Sequence, residues 1–111
     1  MSDSAALKVE SADGIVVVYL SGEIDVSNTE RLETDIRGAV VDADSIVIDL
    51  DAVDFLDSSG LRLLKRLSVG AAEATANFVV VAPPKSVARS VIELVSMSDE
   101  MTVQDSRHGP N

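Results

Sequence analysis

Short runs of β-branched residues, alternating with segments of helical period, constrain this chain more than any other feature. Ile15-Val16-Val17-Val18-Tyr19-Leu20, Ile46-Val47-Ile48 and Asn77-Phe78-Val79-Val80-Val81-Ala82 are of strand length, far below a membrane span. Between the first two, Leu32, Ile36, Ala39 and Val40 fall on one helical face. Between the second and third, Leu61, Leu64, Leu67 and Ala71 do the same. Such alternation predicts an α/β fold with continuously apolar strands where helices cover the sheet.

The punctuation between these segments refines the order. Leu7-Lys8-Val9-Glu10 alternates, and Asp13-Gly14 reads as a turn into Ile15, so a hairpin is expected to open the domain. Gly22-Glu23-Ile24-Asp25 ends the second strand, and Ser27-Asn28-Thr29-Glu30 fits a capping box for the first helix. A third strand is expected over Ser45 to Leu50, and a second helix from about Ser58 to about Glu73. Pro83-Pro84 bounds a fourth strand and suits the first turn of a third helix, striped by Val87, Ala88, Val91, Ile92 and Val95. A short fifth strand around Met101 to Val103 and a disordered end from Ser106 to Asn111 complete the expectation.

Composition narrows what such a domain can do. At 111 residues the chain suits one domain with a real core. Hydrophobic residues make up 46% of it, yet two Phe and one Tyr supply every ring, so no aromatic platform for bases exists. A net charge of -10 repels polyanions, which disfavours nucleic acid and anionic membranes as partners. Without cysteine there is no disulfide, thiol nucleophile or thiolate metal site. Met1-Ser2-Asp3-Ser4 lacks the basic region of a secretory signal, and a cytoplasmic protein is expected.

The stretch Phe55-Leu56-Asp57-Ser58-Ser59-Gly60-Leu61 places two hydroxyls and an aspartate where an apolar strand region gives way to a helix. Either Asp57 or Ser58 suits the N-cap, and the first-turn amides would lie close to both serines. The bland reading is a good helix cap and nothing more. Three chemical readings fit less well. Asp49, Asp51, Asp54 and Asp57 suggest a cation, but a calcium loop needs a glycine that is missing, and Val53 and Phe55 sit inside the cluster. A phosphoaspartate receiver has partial counterparts in Glu23, Asp25, Asp51 and Lys85, yet it needs five strand-helix pairs. A serine hydrolase has no Gly-x-Ser-x-Gly elbow, and His108, the single histidine, lies in the presumed tail.

The segment Ile46 to Leu61, ending Asp54-Phe55-Leu56-Asp57-Ser58-Ser59-Gly60-Leu61, resembles the signature of the STAS domain, the family of bacterial anti-sigma factor antagonists. Gly22-Glu23-Ile24-Asp25 is similar to that family's second motif, and the likeness covers roughly Lys8 to Asp105. The resemblance implies a single STAS-like domain spanning 1–111, with a core of about 8–105. Its mixed sheet would have four to five strands, an N-terminal hairpin and covering helices. It further implies that Ser58 is phosphorylated by an anti-sigma factor that is also a serine kinase. The unphosphorylated form would bind that anti-sigma factor and free a sigma factor, and a serine phosphatase would reset the switch. No catalytic residue, cofactor or metal is implied. Convergence of strand ends and helix start predicts one partner surface from Gly22, Glu23, Asp25, Asp57, Ser58, Ser59, Gly60, Arg62 and Arg66. The alternative is a STAS scaffold or transporter-associated subunit in which Ser58 is never phosphorylated. Ser106-Arg107-His108-Gly109-Pro110-Asn111 cannot form the last amphipathic helix that family members commonly carry.

Overall fold

The computed structural model describes residues 5–94 and 101–106. Its elements run β1 (Ala5–Ala12), β2 (Ile15–Ile24), α1 (Thr29–Ala39), β3 (Ser45–Leu56), α2 (Ser58–Glu73), β4 (Asn77–Val81), α3 (Val87–Leu94) and β5 (Thr102–Gln104). The strands form one five-stranded sheet in the order β1-β2-β3-β4-β5. β1 pairs antiparallel with β2, and every later pair is parallel. The hairpin turn is Asp13-Gly14, both with positive φ (53° and 80°), which matches the twist of the two strands it joins.

Three successive parallel crossovers step in one direction across this sheet, so helices of the usual hand collect on one face. Burial follows: Val16, Val18 and Leu20 of β2, and Ile46, Ile48 and Leu50 of β3, are buried, while Val17, Tyr19, Val47 and Asp49 between them are half-buried. Leu32 and Ile36 of α1, Leu64, Leu67 and Ala71 of α2, and Ala88 and Ile92 of α3 join the same apolar cluster. The covered face is therefore the single core, and the strands alternate rather than being apolar on both sides.

Several boundaries differ from the sequence expectation, among them β1, which runs from Ala5 to Ala12, and β4, which ends at Val81. β3 continues six residues past Leu50, because its backbone keeps pairing with β2: Ala52 with Ser21, Val53 with Gly22, Phe55 with Glu23 and Leu56 with Ile24. Asp51 and Asp54 break the apolar run in sequence but merely face outward, while Val53 and Leu56 are buried. The helix α1 has Asn28 at its N-cap, and no capping box forms there. The helix α3 begins at Val87 rather than at the prolines, since Ser86 Oγ donates to Pro83 O (2.7 Å) and accepts from Arg89 N (3.1 Å). The fifth strand is Thr102–Gln104, one residue later than expected. Val95 and residues 107–111, including His108, lie outside the described residues.

Candidate functional site

The β2–β3 register sets up one end of the molecule. Its two bulges, between Tyr19 and Ser21 and between Gly22 and Glu23, let both strands bend while finishing side by side at Ile24 and Leu56. Gly22 has φ +86°, a conformation that other residues adopt only with strain, so the second bulge requires glycine. Asp57 N donates to Ile24 O (3.4 Å), which ties the entrance of α2 to the end of β2. Gly60, in the first turn of α2, lies so close to β3 that a Cβ there would overlap Leu56 Cδ1 and sit 3.1 Å from Ile24 Cγ2.

Asp57 is the N-cap of α2, with extended backbone, and its Oδ1 accepts from Ser59 N (2.9 Å) and Gly60 N (3.2 Å). Ser58 is thus the first helical residue. It is exposed, and its hydroxyl has no hydrogen bond to any described residue. Ser59 is half-buried, and Arg62, one turn along, reaches its Oγ at 3.5 Å. The Ser59 and Gly60 amides are already occupied by Asp57. Among the described residues, Ser58's own amide, the helix dipole and, one residue on at Ser59 Oγ, the Arg62 guanidinium are the groups left to balance negative charge on the Ser58 oxygen.

The neighbouring loop is built by Asp25 and Asn28. Asp25 Oδ1 accepts from Ser27 N (2.9 Å) and from the Ser27 hydroxyl, and Asp25 O accepts from Asn28 N and Thr29 N (both 3.1 Å). Asn28 is buried and turns back on the strand end. Its Oδ1 accepts from Asp25 N (3.1 Å) and its Nδ2 donates to Glu23 O (2.8 Å). Asn28 therefore fixes the Gly22–Asp25 segment instead of capping α1 with its side chain.

Of the residues singled out in the sequence, Gly22, Glu23, Asp25, Asp57, Ser58, Ser59, Gly60 and Arg62 lie at this one end. Arg66 stands apart. It lies two turns along α2 from Ser58, about 12 Å by helical rise. Its guanidinium holds Glu33 Oε1 of α1 by Nε and Nη2, both at 2.9 Å. Glu33 also receives Arg37 (3.0 and 2.9 Å to Oε2). The Arg66 hydrogen bond, with Arg37 adding to it and partial desolvation opposing, holds the Glu33 carboxyl below its ordinary pKa.

Sequence reasoning missed three residues here. Asn28 was hidden by its place in an apparent capping box, and its signal would have been an amide directly after the Gly-Glu-Ile-Asp segment. Phe55, on β3 three residues before Ser58, is 47% exposed, and Val26, one residue beyond Asp25, is 77% exposed. Both are exposed apolar side chains at the end where β2 and β3 meet the start of α2, which periodicity could not reveal. Asp49, Asp51, Asp54 and Asp57 do not converge: among the described residues no three His, Asp or Glu side chains gather as a cation would need. No helix of the described residues is long and apolar enough to cross a membrane.

A five-stranded mixed sheet with helices on one face, and an Asp-Ser-Ser-Gly helix entrance locked to a Gly-Glu-Ile-Asp strand end, defines the class. The chain belongs to the STAS domain family, whose model matches residues 6–109. It is similar to the anti-sigma-F factor antagonist RsfB of Mycobacterium tuberculosis, at 35% identity over 107 residues covering 96% of this chain and 86% of that protein. The crystal structure of an anti-sigma factor antagonist from Mycobacterium paratuberculosis is 33% identical with a TM-score of 0.80, covering 95% of this chain and 89% of that one. The fold is also that of SpoIIAA. Its unphosphorylated form is 22% identical with a TM-score of 0.74, covering 93% of this chain and 90% of that one. The phosphorylated form of the Bacillus protein gives 21% and 0.65, covering 93% of this chain and 94% of that one.

Proposed function

We propose that this protein is an anti-sigma factor antagonist that binds its anti-sigma factor, itself a serine kinase, while unphosphorylated and thereby frees a sigma factor. Phosphorylation of Ser58 ends that binding, and a serine phosphatase restores it, in the cytoplasm and without a cofactor. The observation that carries the reading is Ser58 itself: exposed, first in α2, with a hydroxyl that no described residue holds. The likeness to RsfB, named an anti-sigma-F factor antagonist, and to SpoIIAA, known in phosphorylated and unphosphorylated forms, supports it.

The switch follows from charge at an apolar face. A phosphate brings about -1.5 to -2 charges at pH 7. In the free protein that charge meets the positive end of α2, one unoccupied amide and Arg62, so the fold tolerates it. Against a docked partner it would sit beside Asp57, Asp54, Phe55 and Val26, where burying an unpaired dianion costs several kcal/mol. A loss of about 4 kcal/mol weakens binding roughly a thousandfold. On this reading the effect acts at the interface and leaves the core unchanged.

Incubation with the cognate kinase and ATP, followed by site-resolved mass spectrometry and titration calorimetry, tests this. Phosphate is expected on Ser58 and not Ser59. Ser58→Ala should bind the kinase as wild type does and stay bound in ATP, whereas Ser58→Asp should bind poorly although folded. Phosphate confined to Ser59, or equal affinity of all forms, would overturn the proposal.

A further inference from the structure

At the opposite end of α2 from Ser58, the last turns of α1 and α2 and the start of β3 enclose a pocket of about 390 Å³. That volume lies within the range of small-molecule sites. Taking about 30 Å³ for each water-sized group, it accepts on the order of a dozen non-hydrogen atoms. Its floor is apolar: Ile36, Ile46, Leu67, Ala71 and Phe78. Val41, 68% exposed, adds an apolar lip.

The rim is charged unequally. Asp42 and Asp44 line it, both exposed, and neither carboxylate has a hydrogen-bond or ion-pair partner among the described residues. The carboxyl ends of two helices also meet here, Arg37 to Val41 on one side and Gly70 to Ala74 on the other, bringing the negative ends of both dipoles to the mouth. One cation lines the wall. Arg37 packs its guanidinium against Gly70, but its Nε and Nη2 are engaged by Glu33. An anion entering the pocket would find only the Nη1 side of a guanidinium already neutralised by Glu33, on a rim that carries Asp42 and, packed against Gly14, Asp44.

We propose that this pocket binds a small amphiphilic ammonium compound, its apolar body on the Ile36–Ile46–Leu67–Phe78 floor and its cationic head between Asp42 and Asp44. An ammonium gains from both carboxylates and both helix ends, and the apolar floor rewards the remainder of the molecule by burial. Such a ligand occupies the end of the domain remote from Ser58 and leaves the proposed partner face open.

Phenylbutylammonium, with phenylbutyrate and phenylbutane as controls, titrated into the isotope-labelled full chain and followed by amide NMR, tests the proposal. Saturable shifts are expected over residues 40–44 and 70–76, with the ammonium binding about tenfold tighter than the carboxylate and losing affinity as salt rises. The double variant Asp42→Asn, Asp44→Asn, both at exposed positions, should keep its thermal midpoint and lose roughly fivefold in ammonium affinity. Equal or tighter binding of phenylbutyrate, an unchanged affinity in the double variant, or the absence of saturable shifts at these residues would overturn it.

Discussion

Replacing Asp57 and Ser58 one at a time separates holding α2 in place from carrying the proposed switch. Asp57 Oδ1 accepts from two first-turn amides, at 2.9 and 3.2 Å, in a half-buried position. Asp57→Ala leaves both donors without that acceptor and removes a negative charge from the positive end of a helix. Cap losses of this kind cost about 1 kcal/mol, reaching about 2 where two bonds and a charge go together. For a domain of this size, about 4 °C of midpoint accompanies each kcal/mol, so a fall of about 4–8 °C is expected. Asp57→Asn keeps an acceptor and loses only the charge, so it should recover more than half of the difference. Ser58→Ala should stay within about 0.5 kcal/mol of wild type, because its exposed hydroxyl bonds to no described residue and alanine is a good helix former. Urea and thermal unfolding by circular dichroism measure all three. The reasoning fails if Ser58→Ala loses as much as Asp57→Ala, or if Asp57→Ala unfolds with the wild type, since either result would move the cap elsewhere.

Gly60→Ala should destabilise by about 1–3 kcal/mol in spite of alanine's helix propensity, because the new methyl overlaps the buried Leu56 side chain; a stabilised variant in urea unfolding would show that the contact yields. The lowered pKa of Glu33 means that its ion pairs add stability at neutral pH, and that this contribution is lost as pH falls below the ordinary carboxylate range and through the lowered value. Glu33→Gln should flatten that part of the acid-unfolding profile by no more than about 1 kcal/mol, as the pairs are partly solvated; an unchanged profile would refute the assignment. Asp25→Ala or Arg62→Ala should weaken kinase binding in calorimetry, whereas Arg66→Ala, whose guanidinium is committed to Glu33, should leave binding largely intact; equal losses in Arg62→Ala and Arg66→Ala would place the partner along the whole helix.

The sequence determined the elements and the chemistry at one helix start. Each element carries its own period and its own punctuation: β-branched runs for strands, Leu61-Leu64-Leu67-Ala71 for α2, and Asp13-Gly14 for a hairpin turn. The start of α2 at Ser58 was legible because capping is local, involving side chain and amides two and three residues apart. What tertiary structure alone decided depends on partners distant in the chain. β3 runs on through Asp51 and Asp54 because β2 keeps supplying hydrogen-bond partners, which no local signal announces. Asn28 serves the strand end rather than the helix because Glu23 and Asp25 offer an acceptor and a donor once the loop closes. Arg66 bonds to a residue 33 positions away and so leaves the Ser58 end, while Phe55 stays exposed because the strand places it away from the core. The pocket has no counterpart in the linear chain at all, since it exists only where two helix ends and a strand start are brought together by the crossovers.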